Sequence, residues 1–375
     1  MDPSELRARM IDQLKGRGLA MAPAIEEAFR AVPREVFLPG IPIERVYSGD
    51  AIITRSDEQG RPISSSSEVG IMIAMAQLLD VAPGQRILEI GAGTGYNAAV
   101  LSRLVGDRGA ITTIDIDPDI AAEARDHLTR AGFDRVAVVT GDGWEGKIPG
   151  APFDRIEVTA SVADLSPNWF AELVEGGKIV FPLVLRAGIQ TVIGLRKMGT
   201  ELVSTNLVPG GFMRLRGPGG PQGQTRSFDG LTVELADAEL AADDRLGALL
   251  REPPRMTVTP PLGWEALTLL ALLHGNVTVT GKGRPGFAVG IFDHDGGLAL
   301  VELAQGAIAG PLSLITAFGS DAARAQLIAG IENIRGLRLN DLRVVVSRID
   351  SAGPDGDVVL RRGAFKFAFS IMARS

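Results

Sequence analysis

A strand that ends in a glycine-rich turn limits this chain to a small group of α/β folds. Residues 86–90 (Arg-Ile-Leu-Glu-Ile) have the apolar pattern of a buried strand, and residues 91–95 (Gly-Ala-Gly-Thr-Gly) follow directly. A helical pattern then runs from Tyr96 to Val105. Glycine lacks a Cβ, so such a turn can adopt positive φ and approach a ligand, while the first amide groups of the helix point toward that ligand. The segment therefore predicts a nucleotide-binding turn.

The spacing of the glycines separates two classes of nucleotide. A dinucleotide fingerprint requires glycine at its first, third and sixth positions, and Tyr96 occupies the sixth. Glu89 lies just before the turn, where a carboxylate suits a cationic amino-acid group better than an anionic pyrophosphate. These features favour S-adenosylmethionine, a sulfonium nucleoside without phosphate. A binding protein or oxidoreductase that uses NAD on the same sheet stays as an alternative.

Two further acids follow the next two predicted strands. Asp115 lies near the end of the strand pattern of 110–116, about 20 residues after the glycine turn, where an acid accepts from both ribose hydroxyls. The pattern of 136–140 runs into 141–143 (Gly-Asp-Gly), where Asp142 can accept from an adenine amine. Either acid alone could cap a helix or form a turn, but together they place one ligand across the carboxyl ends of parallel strands. The predicted cofactor-binding residues are Glu89, Gly91, Gly93, Asn97, Asp115, Ile116, Asp142, Gly143 and Thr159.

The order of patterns along the chain predicts an α/β fold with two domains. A length of 375 residues exceeds one typical domain, and 45% hydrophobic content is ample for a sizeable core. Strand and helix patterns alternate from 87 to 182, which builds a parallel sheet with helices on both faces. The predicted fold is a Rossmann-like methyltransferase sheet with a helical amino-terminal cap and a smaller carboxy-terminal α+β domain. The predicted parts are a catalytic domain over 1–217 with its cap and substrate loop in 1–80, a Gly/Pro-rich linker over 218–230, and an accessory domain for substrate recognition or self-association over 231–375.

Composition and charge exclude several classes of function. The net charge of −7 and the pI near 5.2 argue against a nucleic-acid partner, which demands a basic surface. Without cysteine there is no disulfide, zinc–thiolate site or cysteine nucleophile. His127, His274 and His294 have no metal-ligand spacing, so no metal site is predicted. The amino-terminal pattern is an amphipathic helix without an apolar signal, and we expect a cytoplasmic protein with no membrane partner; the oligomeric state stays open.

Several motifs outside the nucleotide turn share one resemblance. They are 10–14 (Met-Ile-Asp-Gln-Leu), Arg17-Gly18, 32–34 (Val-Pro-Arg), 37–39 (Phe-Leu-Pro), Tyr47, 141–143, 151–156 (Ala-Pro-Phe-Asp-Arg-Ile), 158–160 (Val-Thr-Ala) and Gly176-Gly177. In register with the nucleotide turn, these motifs make residues 1–217 resemble the protein-L-isoaspartate O-methyltransferases. The resemblance implies an enzyme that uses S-adenosylmethionine to methylate a carboxylate of a protein or peptide.

Four consecutive serines precede the helical pattern that begins at Val69. The family has a Thr-Ile-Ser-Gln-Pro segment here, and its serine contacts the reacting carboxylate. Counting back without a gap from Leu78-Leu79 puts Ser67 on that serine, whereas matching 62–64 (Pro-Ile-Ser) to Thr-Ile-Ser gives Ser64. Ser67 is favoured because a helix register tolerates gaps less readily than a loop does. The candidate catalytic residues are Ser67, Ser66, Ser65 and Ser64, which sit at a helix start; a flexible loop with a helix cap is the structural alternative.

Some features depart from the isoaspartyl pattern. Glu68 and Val69 replace the glutamine and proline, and an acid beside an anionic substrate is unusual. The serine run, the longer loop before it and the extra domain are similar to homologues associated with ribosomally made, modified peptides of the lanthipeptide, lasso and graspetide types. This resemblance implies methylation of an ordinary aspartate in a modified precursor peptide, giving an ester that collapses to aspartimide. Repair methylation of isoaspartate in damaged proteins is the alternative, so the predicted partner is a peptide or protein that carries Asp or isoAsp.

Methyl transfer to a carboxylate fits a site in which no histidine base is obvious. An aspartyl side chain with a pKa of about 3.9 is already ionised at neutral pH, so no proton has to be removed. Positioning can then supply much of the rate. A serine hydroxyl can hold the carboxylate by a hydrogen bond without neutralising it, as Arg or Lys would.

Overall fold

The fold begins with a helical cap. The structure is a computed structural model and describes residues 2–220, 224–236, 238–281, 287–302 and 312–372. The described residues of the cap contain three α-helices, which are α1 (Pro3–Gly16), α2 (Pro23–Ala31) and α3 (Ile43–Val46). Asp2 caps α1 by accepting a hydrogen bond from the backbone N–H of Ser4, and Pro3 fits the first turn because its missing N–H is not needed there.

A serine-containing hairpin connects the cap to the first long apolar helix. Strand β1 (Ile52–Ser56) pairs antiparallel with β2 (Pro62–Ser66), and α4 (Val69–Leu79) follows. The prediction that all four serines sit at a helix start is therefore wrong for Ser64–Ser66, which belong to the strand. Only Ser67 lies directly before the helix cap, because Glu68 accepts the first free amide groups of α4.

A mixed sheet forms the centre of the molecule and confirms the predicted α/β fold. Its first elements are β3 (Arg86–Ile90), α5 (Tyr96–Val105), β4 (Ala110–Asp115), α6 (Pro118–Arg130), β5 (Ala137–Thr140), β6 (Phe153–Val158), α7 (Pro167–Glu172), β7 (Leu173–Val184), β8 (Gln190–Met198) and β9 (Glu201–Pro209). The strands from β3 to β7 pair parallel in the order β5-β4-β3-β6-β7, and β8 and β9 add antiparallel. The chain leaves β3 toward β4 and later returns to its other side with β6, so a ligand crevice lies at the carboxyl end of β3.

The remaining elements form a second sheet and complete the first. They are β10 (Gln224–Phe228), β11 (Leu231–Leu235), α8 (Ala238–Ala242), α9 (Arg245–Leu249), β12 (Arg255–Thr259), α10 (Trp264–Leu273), β13 (Val277–Gly281), β14 (Phe287–Phe292), β15 (Gly297–Glu302), β16 (Ser313–Gly319), α11 (Ala322–Asn333), β17 (Leu342–Arg348), β18 (Val358–Arg362) and β19 (Phe365–Ile371). Strands β10 to β16 make an antiparallel sheet in the order β10-β11-β13-β14-β15-β16-β12. A helical pattern over 236–251 of the sequence predicts one long helix, but the described residues of this segment form the two short helices α8 and α9.

The last three strands belong to the central sheet. Strand β17 pairs antiparallel with β9, so that the described residues form one ten-stranded sheet that ends β9-β17-β19-β18. The backbone N–H of Val344 also donates to Ser204 Oγ at 2.8 Å. Strand β10 lies inside the segment 218–230 predicted as a linker, and 221–223 lie outside the described residues. The division into a catalytic and an accessory domain stays a prediction.

Both sheets share one hydrophobic core. Phe181 from β7 and Phe367 from β19 of the central sheet lie in the same cluster of buried residues as Ile315 from β16 of the second sheet. A second cluster joins the cap to α4 and α5 on the other face of the central sheet and includes Phe29 and Tyr96. The helices of the described residues are all too short or too polar to cross a membrane.

Candidate active site

The glycine turn after β3 has the conformation that the sequence predicts. Gly91, Gly93 and Gly95 have φ values of 98°, 51° and 86°. A Cβ on Gly91 would stand 2.4 Å from Thr159 Oγ1, which donates hydrogen bonds to the carbonyls of Ile90 at 3.0 Å and Gly91 at 2.8 Å. The turn therefore requires glycine, and it brings the amino terminus of α5 to the crevice.

The crevice is a cavity of about 800 Å³, within the usual range for a small-molecule cofactor site. It contains every residue predicted to bind the cofactor and all four candidate serines. The lining includes Glu89, Gly91, Gly93, Asn97, Asp115, Ile116, Asp142, Gly143 and Thr159 on the cofactor side, and Ser64, Ser65, Ser66 and Ser67 from the hairpin.

Asp115 closes β4 in the position expected for a ribose acceptor. Its side chain is 8% exposed, and its two oxygens accept from the backbone N–H of Gly93 at 3.2 Å and of Asp117 at 3.1 Å. Burial raises the pKa of Asp115, with these hydrogen bonds and the nearby Arg216 opposing the shift. Each carboxylate oxygen keeps a free lone-pair direction, so a pair of hydroxyl donors fits here.

Asp142 and Ile116 line the part of the cavity that is predicted to hold adenine. Asp142 Oδ1 accepts from the backbone N–H of Trp144 at 2.9 Å, and Ile116 offers an apolar surface that is 40% exposed. Gly217 lies against the same carboxylate, because a Cβ there would stand 3.1 Å from Asp142 Oδ2. The indole N–H of Trp169 donates to the Gly143 carbonyl at 2.7 Å and fixes this loop.

A pair of buried acids forms the floor beneath the glycine turn. Glu89 and Glu157 are 0% and 1% exposed, and Asn97 Nδ2 donates to both, at 2.7 Å and 2.8 Å. Thr113 Oγ1 donates to the second oxygen of Glu89 at 2.5 Å. Burial raises the pKa of Glu89 to about 8 and that of Glu157 to about 7. Glu157 was not among the residues predicted from the sequence, because it is one of three charged residues in the strand 153–158 and no local pattern distinguishes it.

The four serines have different surroundings. Ser64 Oγ accepts from Thr54 Oγ1 at 3.0 Å, and Ser66 Oγ accepts from Arg34 Nη2 at 3.1 Å. The hydroxyls of Ser65 and Ser67 make no hydrogen bond within the described part of the chain, and both residues line the cavity. These two hydroxyls are therefore available to a substrate.

The carboxylate of Glu68 binds the backbone of α4. Its two carboxylate oxygens accept from the backbone N–H groups of Gly70 and Ile71, each at 3.0 Å. The side chain thus caps α4, where the positive end of the helix dipole offsets its charge. An acid at this position is compatible with an anionic acceptor beside Ser67.

Two segments that sequence analysis did not assign to the site also reach the cavity. Residues 209–216, called the strap here, line the cavity. The backbone of Ser161 holds the strap, since its N–H donates to the Met213 carbonyl and its carbonyl accepts from the Leu215 N–H, at 2.8 Å each. Trp264, at the first turn of α10, lines the cavity from the carboxy-terminal half of the chain. Neither segment has a local sequence motif that indicates a functional site. Long-range packing brings both segments to the cavity.

The fold and this cavity define an S-adenosylmethionine-dependent methyltransferase, because the glycine turn and the acids fit a ribose, an adenine and an amino-acid cation without a phosphate. The family model described as Protein-L-isoaspartate(D-aspartate) O-methyltransferase (PCMT) matches residues 5–215. The chain belongs to this family and is a protein carboxyl methyltransferase that uses S-adenosylmethionine. The predicted enzyme class and cofactor are thereby confirmed, whereas the NAD alternative is not supported.

Individual relatives agree with this assignment. Protein-L-isoaspartate O-methyltransferase of Methanopyrus kandleri is 39% identical over 178 residues, which are 47% of this chain and 76% of the relative. The enzyme of that name from Methanococcus maripaludis strain C5 is 34% identical over 56% of this chain and 96% of its own length. A solved structure titled protein-L-isoaspartate O-methyltransferase matches with a TM-score of 0.54 and 25% identity, covering 90% of this chain and 96% of its own.

Proposed function

We propose that this protein methylates the free carboxylate of an isoaspartyl residue in a protein or peptide. The observation that carries the proposal is the unpartnered hydroxyl of Ser67, which lines the same cavity as the cofactor-binding acids. Ser67 is also the residue that aligns without a gap on the family serine. A donor at this point can hold one carboxylate oxygen next to the transferable methyl group.

The chemistry needs positioning more than proton transfer. S-adenosylmethionine supplies the electrophilic methyl group. The acceptor carboxylate is ionised at neutral pH, so its oxygen attacks without a general base. Ser67 would hold that oxygen by a hydrogen bond, and the backbone around it is fixed because Arg34 Nη2 donates to the Ser67 carbonyl at 2.9 Å. Such fixed placement can supply a large part of the rate.

The carboxy-terminal residues do not favour a modified precursor peptide over an isoaspartyl substrate. The solved structure titled protein-L-isoaspartate O-methyltransferase aligns with 90% of this chain, well beyond residue 215 where the family match ends. The extra residues are therefore no argument for peptide modification by themselves. Glu68 is also no argument against an isoaspartyl substrate, because its carboxylate caps helix α4.

Methylation of an aspartate in a modified peptide is the second candidate. The mouth of the cavity favours it, since Ile53 on β1 is 58% exposed and Trp264 stands among the lining residues. An apolar mouth of this kind suits a bulky, constrained peptide. The carboxy-terminal part would then contribute to peptide recognition, as the position of Trp264 supports.

Three peptides of one sequence separate the candidates. One carries L-isoaspartate, one L-aspartate at the same position, and one the aspartate inside a covalent ring. We expect the isoaspartyl peptide to be methylated about 100-fold faster than the linear aspartyl peptide, because a misplacement of about 1 Å has that effect. Mass spectrometry follows the gain of one methylene unit and the later loss of methanol. Methylation of the ring peptide alone would refute the isoaspartyl proposal and support the second candidate.

A further inference from the structure

Glu89 and Glu157 stand side by side on neighbouring parallel strands. The two residues are Cα partners in the register of β3 and β6, so their side chains project from the same face of the sheet. Both line the cavity although they are 0% and 1% exposed. Two carboxyl groups of this kind normally repel one another and need a reason to be buried together.

Asn97 holds both acids from helix α5. Its Nδ2 donates to Glu89 Oε1 and to Glu157 Oε2, while Thr113 donates to Glu89 Oε2. The other oxygen of Glu157, Oε1, has no hydrogen bond within the described residues, and Glu157 is one of the residues that line the cavity. One acceptor is therefore ready for a donor that enters from the cavity.

The cluster has no cation of its own. In the described part of the chain, neither acid forms an ion pair with Lys, Arg or His. The charged and polar groups that face them are Thr113 and Asp115 from β4 and Asn97 from α5, and Asp115 adds further negative charge. Burial raises the pKa of both acids, so the cofactor-free site holds protons where a bound cation would stand.

We infer that Glu157 is a second cofactor-binding carboxylate, which joins Glu89 in holding the ammonium group of the amino-acid part of S-adenosylmethionine. The ammonium group has three donors, and the carboxylates of Glu89 and Glu157 offer acceptors on neighbouring strands. Asn97 sets the spacing of the two acids. The inference depends on the cofactor alone and is independent of the acceptor substrate.

Cofactor binding is then coupled to proton release. A cation beside the acids favours their ionised forms and lowers their pKa on binding. The complex therefore holds fewer protons than the free protein, and affinity rises with pH through the range of about 7 to 8 in which the free acids titrate. Above that range the affinity becomes independent of these two groups.

Calorimetry with S-adenosylhomocysteine tests the inference without any methyl acceptor. This product carries the same ammonium group, and titrations in two buffers of different ionisation enthalpy give the number of protons released. At pH 8 we expect Glu157→Gln to weaken binding about 10-fold, because a charge-assisted hydrogen bond becomes a neutral one. Near pH 7 the variant should also release fewer protons than the wild type.

Two controls make the result specific. 5′-Methylthioadenosine has the nucleoside and sulfur but no ammonium group, so its affinity should be the same for the wild type and for Glu157→Gln. Glu145→Gln changes an exposed acid outside the cavity and should leave S-adenosylhomocysteine binding unchanged.

Clear outcomes would overturn the inference. One is equal affinity of Glu157→Gln and wild type for S-adenosylhomocysteine at every pH. Another is an equal loss of affinity for methylthioadenosine, which would show a general distortion of the cavity. Should the variant fail to fold, a wild-type affinity for S-adenosylhomocysteine at pH 8 that is no higher than the affinity for methylthioadenosine would reject the inference, because the ammonium group would then contribute nothing to binding. None of these results bears on whether the acceptor is isoaspartate.

Discussion

Ser67 and Ser64 differ in what their hydroxyl groups contact. The hydroxyl of Ser67 makes no hydrogen bond within the described residues, whereas Ser64 Oγ accepts from Thr54 and a Cβ on Gly93 would stand 4.0 Å from it. Ser64 therefore belongs to the hairpin and the cofactor turn, and Ser67 is free for the acceptor. This difference supports the register that sequence analysis favours.

Replacing Ser67 should slow methyl transfer without affecting the cofactor. We expect Ser67→Ala to lower kcat/KM for an isoaspartyl peptide about 10- to 100-fold, the range of one lost hydrogen bond to a charged group. The affinity for S-adenosylhomocysteine, measured by calorimetry, should stay the same. Full activity of Ser67→Ala together with loss of activity in Ser64→Ala would contradict this prediction and assign the contact with the acceptor to Ser64.

The buried acid Glu157 makes the stability of the cofactor-free protein depend on pH. Its pKa is raised from 4.5 to about 7 by burial, so the folded state binds more protons than the unfolded state between these values. The free energy of unfolding therefore falls as pH rises through that window, by about 1.4 kcal/mol per pH unit. The contribution of protonated Glu157 to the free energy of unfolding is fully present below about pH 4.5 and is lost above about pH 7.

Comparison with Glu157→Gln isolates this contribution. The amide cannot ionise, so the variant should gain stability relative to the wild type as pH rises from 5 to 7, and the difference should then level off. Urea denaturation at pH 5, 6, 7 and 8 without cofactor measures the difference in free energy of unfolding between the two proteins. A difference between the two proteins that stays constant with pH would contradict the prediction.

At the residue scale, the sequence placed the glycines of the turn and the acids Glu89, Asp115 and Asp142 around one cavity, because three acids that end successive strands are hard to reconcile with isolated caps and turns. Their contacts with the cofactor stay a prediction. Glu157 was missed because a single acid in a strand says nothing about its neighbours. Its partner Asn97 was predicted, but only the structure shows that Asn97 bridges two acids.

Two elements at the rim of the cavity, the β1–β2 hairpin and the strap, meet on the same acid at the start of α6. Arg55 of the hairpin lies 3.8 Å from Asp117 Oδ1, and Arg216 of the strap lies 3.5 Å from Asp117 Oδ2. Arg55 also pairs with Glu123 at 2.5 Å, and Arg216 lies 3.6 Å from Asp115. Both elements line the cavity, so these ion pairs hold its two sides together.

Breaking one of these pairs should speed the release of the nucleoside product. We expect Arg216→Ala to raise the dissociation rate of S-adenosylhomocysteine about 3- to 10-fold, a modest effect because partly exposed ion pairs contribute about 1 kcal/mol or less. Stopped-flow displacement measures the rate. The rate for the wild type should rise with salt, and the variant should lose most of that dependence.

Arg61→Ala is the matched control in the same hairpin. The Arg61 side chain is 74% exposed, and within the described residues its one ion pair is with Asp57 in the same hairpin, away from α6. Its replacement should leave the dissociation rate unchanged. Equal rates for Arg216→Ala and the wild type at low salt would show that the strap is held by its backbone contacts to Ser161 instead.

The bounds of helices were predicted accurately where the apolar residues follow the helical period without interruption. Helices α4 and α5 begin and end where their apolar patterns do, at Val69–Leu79 and Tyr96–Val105. The pattern over 236–251 was less decisive, because Asp243 and Asp244 interrupt it and the chain forms two short helices. The serine strand β2 was missed because a run of identical small polar residues carries no alternation of period two.

At the scale of the whole molecule, the catalytic sheet is completed by the end of the chain. Val203 and Val345 are paired Cα partners of β9 and β17, although more than a hundred residues separate them in sequence. Local patterns do not show such pairing, so the sequence indicates a separate accessory part over 231–375. The strands of 342–371 instead share both the sheet and the core of the catalytic part.

This shared sheet predicts that the protein unfolds as one unit. Phe367 on β19 is fully buried in the cluster that also contains Phe181 of β7. Phe367→Ala should lower the free energy of unfolding by about 3–5 kcal/mol, a large part of the about 5–15 kcal/mol of a typical domain. Because the two predicted parts of the chain share this cluster, the substitution should destabilise both. Calorimetry should then show one unfolding transition, at a lower temperature for the variant than for the wild type.

S-Adenosylhomocysteine distinguishes a single unit from two. A ligand that binds only the folded state raises the transition temperature of whatever unfolds with its site. If the strands after residue 341 unfold together with the cofactor site, saturating ligand shifts the entire heat-absorption peak in both the wild type and Phe367→Ala. Two peaks, of which the ligand moves one and Phe367→Ala lowers the other, would mean that the carboxy-terminal strands fold independently of the site despite their place in its sheet.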